Sequence, residues 1–176
     1  MTPSKKKAFL QSLDADQASQ VLMAMLANEP ALVKKAYDIA LELVGDSNVD
    51  DISDEVYDAL DSLDVDDLYN SSGRTRYGYV DPTERAWEMF EEELSPFLDE
   101  MKKNQKRALP STAKIHCIGI IKGLLRYEKE SYSDFADWVE DAPGEFIITV
   151  IEEWKKGNPS DDDIAEVMNI VEENQS

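Results

Sequence analysis

His116 and Cys117 are the only histidine and the only cysteine in the chain. Nucleophilic or metal chemistry would be sought there first. Neighbours on a helix point about 100° apart, so the pair cannot act as nucleophile and base on each other. A zinc site needs three or four Cys, His or carboxylate ligands, and two adjacent residues do not supply them. Both residues are expected in the core, where a free cysteine behaves as a small hydrophobe.

Oxygen ligands are plentiful but badly spaced. A calcium loop needs acids or amides at positions 1, 3 and 5, Gly at 6 and Glu at 12. Counted from Asp46, Asn48 and Asp50 fit, but position 6 is Asp51 and position 12 is Tyr57. Asp161-Asp162-Asp163 reads as the acidic first turn of a helix, where negative charge meets the helix dipole. Gly119-Ile-Ile-Lys-Gly123 lacks the spacing of a phosphate loop and lies in an apolar run. No pair of carboxylates stands out for acid–base work. No metal, no cofactor and no catalytic residue are expected.

Two features remain. The segment 69–79 holds Tyr69, Arg74, Arg76, Tyr77 and Tyr79 among small polar residues and two glycines. Tyr and Arg are the types enriched at protein interfaces, and an arginine fork grips a carboxylate or phosphate. These five are the candidate binding residues. The competing reading packs the tyrosines onto the helices and pairs the arginines with nearby acids. The second feature is charge segregation. Between residues 36 and 73 there are twelve acids and no Lys or Arg; between 102 and 129 there are eight bases and one acid, Glu128. That pattern suits either a solvated surface or an interaction surface, including self-association between unlike faces.

The elements that must position these residues read as helices from end to end. Ser4 is a possible cap for a first helix. Asp14 with Gln17 has capping-box spacing ahead of Ala18, Val21, Leu22, Met25 and Leu26. Asn28 and Pro30 open a helix with Val33, Tyr37, Ala40, Leu41 and Val44 as its apolar stripe, ended by Gly45. Ile52, Val56, Ala59, Leu60 and Leu63 mark the next. Segment 69–79 reads as an irregular loop, with no strand pairing. Asp81-Pro82-Thr83-Glu84 starts a helix that Ser95-Pro96 kinks or restarts. Pro110-Ser111 opens the most apolar segment, the expected centre of the fold, with Gly119 and Gly123 admitting a neighbouring helix. Ser133 caps a short helix. Pro143 opens another, stopped by Gly157, although Ile147–Val150 also suits a strand by composition. Ser160 with Asp163 caps the last. The fold expected is all-α, an irregular multi-helix stack or bundle with HEAT-like α-hairpins as a possibility, in one domain over 1–176 with a potential subdivision near 70–81.

The stretch from Asp54 to Lys156 resembles a helical region of uncharacterised bacterial and archaeal proteins, some of which carry a SWIM-type zinc finger beside it. The likeness rests on Ala59-Leu60-Asp61-Ser62-Leu63-Asp64, on Gly78-Tyr79-Val80-Asp81, and on Ala86-Trp87 with Pro96-Phe97-Leu98. Gly119-Ile-Ile-Lys-Gly-Leu124 and Ala142-Pro143-Gly-Glu145 through Trp154 complete it. It implies a helical accessory or scaffold module. The finger's ligands are absent here, and a DNA-binding role does not carry over.

Net charge is −20 at pH 7. A field of that sign repels nucleic-acid backbones and anionic membranes. A single cysteine and no long apolar segment point to a cytoplasmic location. The expected function is a non-catalytic protein-interaction or scaffold module with a protein partner and with self-association open. The alternatives are an acidic, DNA-mimicking regulator of nucleic-acid machinery, and an enzyme whose site forms only on folding.

Overall fold

A computed structural model describes residues 2–44 and 47–174. Among them are nine α-helices and one two-stranded antiparallel sheet. The chain divides into two compact units, 1–46 and 47–176. The division falls ahead of the fourth helix, and residues 70–81 lie inside the second unit.

The first unit holds α1 (Pro3–Gln11), α2 (Ala15–Asn28) and α3 (Ala31–Val44). The Asp14–Gln17 capping box forms in both directions, at 2.8 and 3.3 Å. Thr2, not Ser4, precedes α1, and Pro3 takes its first position. The expected end of α3 at Gly45, and Asp46, from which the calcium-loop spacing is counted, lie outside the described residues. The stripes that amphipathic periodicity assigns to a core stay largely open. Val21, Leu22, Met25, Val33 and Tyr37 are all exposed, and no residue of α1 or α2 is buried. Leu26, Leu32, Ala36 and Leu41 are half-buried.

The second unit contains the core. Its elements are α4 (Val49–Asp61), α5 (Val65–Ser71), β1 (Gly73–Thr75), β2 (Gly78–Val80), α6 (Pro82–Lys106), α7 (Pro110–Glu130), α8 (Ala142–Lys155) and α9 (Asp161–Asn174). α7 is the central helix, and twelve of its residues are buried. Ile147–Val150 is helical; the Pro143 start and apolar spacing at Ile147, Val150, Ile151 and Trp154 override its β composition. α6 continues through Pro96 as one helix and does not restart there. The short helix expected after Ser133 is only a 3-10 turn, Ala136–Trp138.

α4 lies in a groove that glycine makes on α7. A Cβ at Gly119 would stand 2.6 Å from Ile52 Cβ, and one at Gly123 would stand 2.6 Å from Val56 Cβ. The paired positions rise together along both chains, so α4 and α7 run in the same direction. HEAT-type hairpins pair antiparallel neighbours in sequence, and this pairing is neither. Aromatic rings join the remaining helices: Phe90 of α6 meets Tyr127 of α7 at 5.5 Å and stacks on Phe146 of α8 at 5.4 Å.

The segregated charges are partly answered within the unit. Arg126 bonds Asp54 at 2.6 Å and Lys122 reaches Asp50 at 3.6 Å, so basic α7 holds acidic α4. Lys114 binds Asp163 and Glu166 of α9 at 2.7 and 2.9 Å. Its ammonium and the Ser160 hydroxyl hold the Asp163 carboxyl below the usual range.

Candidate functional site

Segment 69–79 is not an irregular loop. It closes as a β-hairpin in which Gly73 pairs with Val80, Arg74 with Tyr79 and Thr75 with Gly78. The expected absence of strand pairing is corrected here. Each strand has only three residues, too few for alternation to show. Nor is the turn the familiar Asn-Gly type. Arg76 and Tyr77 occupy it with negative φ, and the positive φ falls one residue later, at Gly78 (136°). The Thr75 hydroxyl donates to the Gly78 carbonyl at 2.9 Å and accepts from the Tyr77 N–H at 3.2 Å, which ties the turn shut.

Both ends of the hairpin are anchored. On the entry side, Leu68 of α5 is fully buried, and the Ser71 hydroxyl bonds the Asp67 carbonyl. On the exit side, Asp81 caps α6 through the N–H groups of Thr83 and Glu84. Arg85 closes the base: its Nε donates to Ser71 Oγ at 3.3 Å while its other nitrogens bond Glu88 and Glu92. The Arg85 bond holds the Glu92 carboxyl below its ordinary pKa.

Side chains alternate across a strand, and cross-strand partners share a face. Thr75 and Val80 are half-buried. Arg74 and Tyr79, partners across the ladder, are exposed on the other face, and Arg76 and Tyr77 project at the tip. Tyr77 is 85% exposed and Tyr79 72%. The Arg76 guanidinium lies over the Tyr77 ring at 4.6 Å. Among the described residues, neither Arg74 nor Arg76 forms an ion pair with a carboxylate. The hairpin therefore gathers four of the five candidate residues into one display. Tyr69 differs. It belongs to α5, and its ring meets Trp138 edge-on at 5.9 Å while the residue remains 57% exposed.

His116 and Cys117 are both buried in α7. Burial pushes the Cys117 thiol up to about 12 and lowers the His116 pKa. The half-open cleft between α6, α7 and the 154–163 connection has a volume of about 560 Å³, and the Gln105, Ser160 and Asp163 side chains in its lining are already hydrogen-bonded. Gln105 donates to the Trp154 carbonyl at 2.7 Å, and Asp163 holds Lys114. Among the described residues, no group of three His, Cys, Asp or Glu is placed to hold a metal ion. No helix there is long and apolar enough to cross a membrane.

The chain matches no protein-family model, no curated protein and no solved structure.

Proposed function

We propose that this protein is a non-catalytic interaction module whose β-hairpin, residues 73–80, is the recognition surface for a protein partner. The observation that carries the reading is the unpaired, outward display of Arg74, Arg76, Tyr77 and Tyr79 on a clamped base. Acidic side chains surround the hairpin in sequence, including Asp64, Asp66 and Asp67, yet among the described residues none takes either arginine. A planar arginine fork beside a tyrosine suits a carboxylate-bearing segment of a partner. Tyrosine adds contact area at the cost of few rotatable bonds.

Catalysis has less support. A thiol pushed to about 12 is not a nucleophile at neutral pH, and His116 is buried beside it in α7. The DNA-mimic reading is weakened by the engagement of Asp50 and Asp54 with Lys122 and Arg126. The test is affinity purification from the native cell with the wild type and with Arg74→Ala/Arg76→Ala/Tyr77→Ala. Partners held by the wild type and lost by the triple variant support the hairpin; an identical set on both removes it from the site.

A further inference from the structure

α8 buries Ile147, Val150, Ile151 and Trp154, and Ile148 beside them stays 55% exposed. Among the described residues of the second unit, Ile148 is the one large aliphatic side chain left exposed. It opens on a groove of about 860 Å³ that α8 shares with Trp87 of α6 and with Met168 and Val171 of α9. Buried Ile147 and Ile151 complete its apolar lining. Sites that take a ligand or a side-chain anchor span roughly 300–1,000 Å³, and this one falls in that range. Gly144 helps to keep it open, since a Cβ there would meet nothing within 4 Å.

The margin of this groove is acidic. Asp141 and Glu145 border it. Trp87 also lines a second hollow, of about 680 Å³, with Phe146 and the carboxylates of Glu84, Glu88 and Glu91. The Trp87 and Phe146 rings lie 6.2 Å apart. Among the described residues, Glu84, Glu91, Asp141 and Glu145 form no ion pair with a base. The sequence explains why. Residues 86–101, 130–154 and 157–176 contain no Lys or Arg, and they supply every residue named here except Glu84. Arg85, the base next to Glu84 in the chain, is taken by Glu88 and Glu92.

Charge selects the occupant. On α4, Asp50 and Asp54 are answered by Lys122 and Arg126, and on the α7 side of α9, Asp163 and Glu166 are answered by Lys114. Around the groove the negative charge has no such answer. An apolar lining alone suits any hydrophobic segment. With unanswered carboxylates at its margin it favours a cationic one, and it repels nucleic acid and a second copy of an acidic chain.

We infer that the groove between α6, α8 and α9 docks a basic amphipathic segment of a partner protein. Its apolar side chains lie against Ile148 and Met168, and its Lys or Arg side chains meet Glu91 and Glu145. The hairpin's four exposed residues are not part of this surface, and it does not depend on their role. The probe is a synthetic amphipathic helical peptide of leucine and lysine, titrated calorimetrically into the full chain. Salt is held at about 0.15 M, where charges more than ~8 Å apart are largely screened. The same peptide with serine for leucine reads charge attraction alone and should bind roughly tenfold more weakly or worse. Glu91→Lys/Glu145→Lys should weaken the leucine peptide by roughly tenfold or more, and Glu55→Lys/Asp58→Lys, the same change of charge on α4, by much less. Gly144→Leu fills the groove without a change of charge from a place where a Cβ meets nothing. It should lower affinity while the melting temperature holds, and it reads the groove even if the charge-reversed variant fails to fold. Equal losses from the two charge-reversed variants would overturn the inference by reducing it to general attraction. A serine peptide that binds as tightly as the leucine one, a Gly144→Leu protein that binds like the wild type, or no binding at all would overturn it too.

Discussion

Gly123 and Val56 are so close that a Cβ on the glycine would sit 2.6 Å from Val56 Cβ and 2.9 Å from the Ser53 carbonyl oxygen. Neither neighbour is the free end of a flexible chain. Val56 is fully buried and β-branched, with a stiff χ1, and Ser53 O is backbone. In an isolated helix Gly→Ala gains about 1 kcal/mol. Here the clash should reverse that sign. Gly123→Ala should lower stability, and Gly119→Leu and Gly123→Leu should cost ~1–3 kcal/mol or more by overpacking. Urea midpoints check this, and unchanged midpoints would mean that α4 does not sit in the groove.

A second backbone position runs the other way. Ala108 ends α6 at φ 56°, left-handed for a residue with a side chain. Leu109 N–H bonds the Asn104 carbonyl and Ala108 N–H bonds the Gln105 carbonyl, each at 3.0 Å. That is the Schellman arrangement, with alanine where glycine is usual. Ala108→Gly should therefore stabilise the protein by about 1 kcal/mol, because left-handed backbone costs an L-residue ~1–2 kcal/mol and glycine little. Thermal melting reads the effect directly.

His116 gives a pH dependence of defined sign. Burial lowers its folded pKa from 6.5, against the opposing pull of Glu100 on α6 and Glu55 on α4. A depressed folded value means full stability above the unfolded pKa and a loss as pH falls below it. The melting temperature should fall between about pH 7 and pH 5, and His116→Leu should flatten that part of the profile. A steeper fall in the variant would contradict this assignment.

Much of this fold is written locally. The capping box at Asp14 and Gln17, the Pro starts at 82, 110 and 143, and the apolar run around Ile115–Leu125 each specify a helix without tertiary help. The α7 glycines announce a close neighbour, though not that α4 would fill the groove in parallel. What escaped depends on longer-range or subtler terms. The hairpin has three-residue strands and an Arg-Tyr turn whose positive φ falls on Gly78, so neither period nor turn chemistry marks it. Periodicity in α2 and α3 identifies an apolar face and is silent on what covers it. Asn158, not Gly157, takes the left-handed conformation after α8 (φ 53°). The candidate site was legible as residue types; only the ladder pairs Arg74 with Tyr79, and only the folded chain sets Tyr69 against Trp138.

That separation gives the most direct measurement. Tyr69→Ala removes an edge-to-face contact with Trp138 and should cost roughly 0.5–1.5 kcal/mol beyond its lost area. Arg74→Ala/Arg76→Ala/Tyr77→Ala removes only exposed side chains, and surface changes of that kind stay within about ±0.5 kcal/mol each. Melting temperature and partner capture, measured on the same preparations, separate the two roles. The account expects Tyr69→Ala to melt earlier, and the triple variant to melt with the wild type and capture nothing that the wild type captures through the hairpin. A triple variant that unfolds early, or that retains every partner, would contradict it.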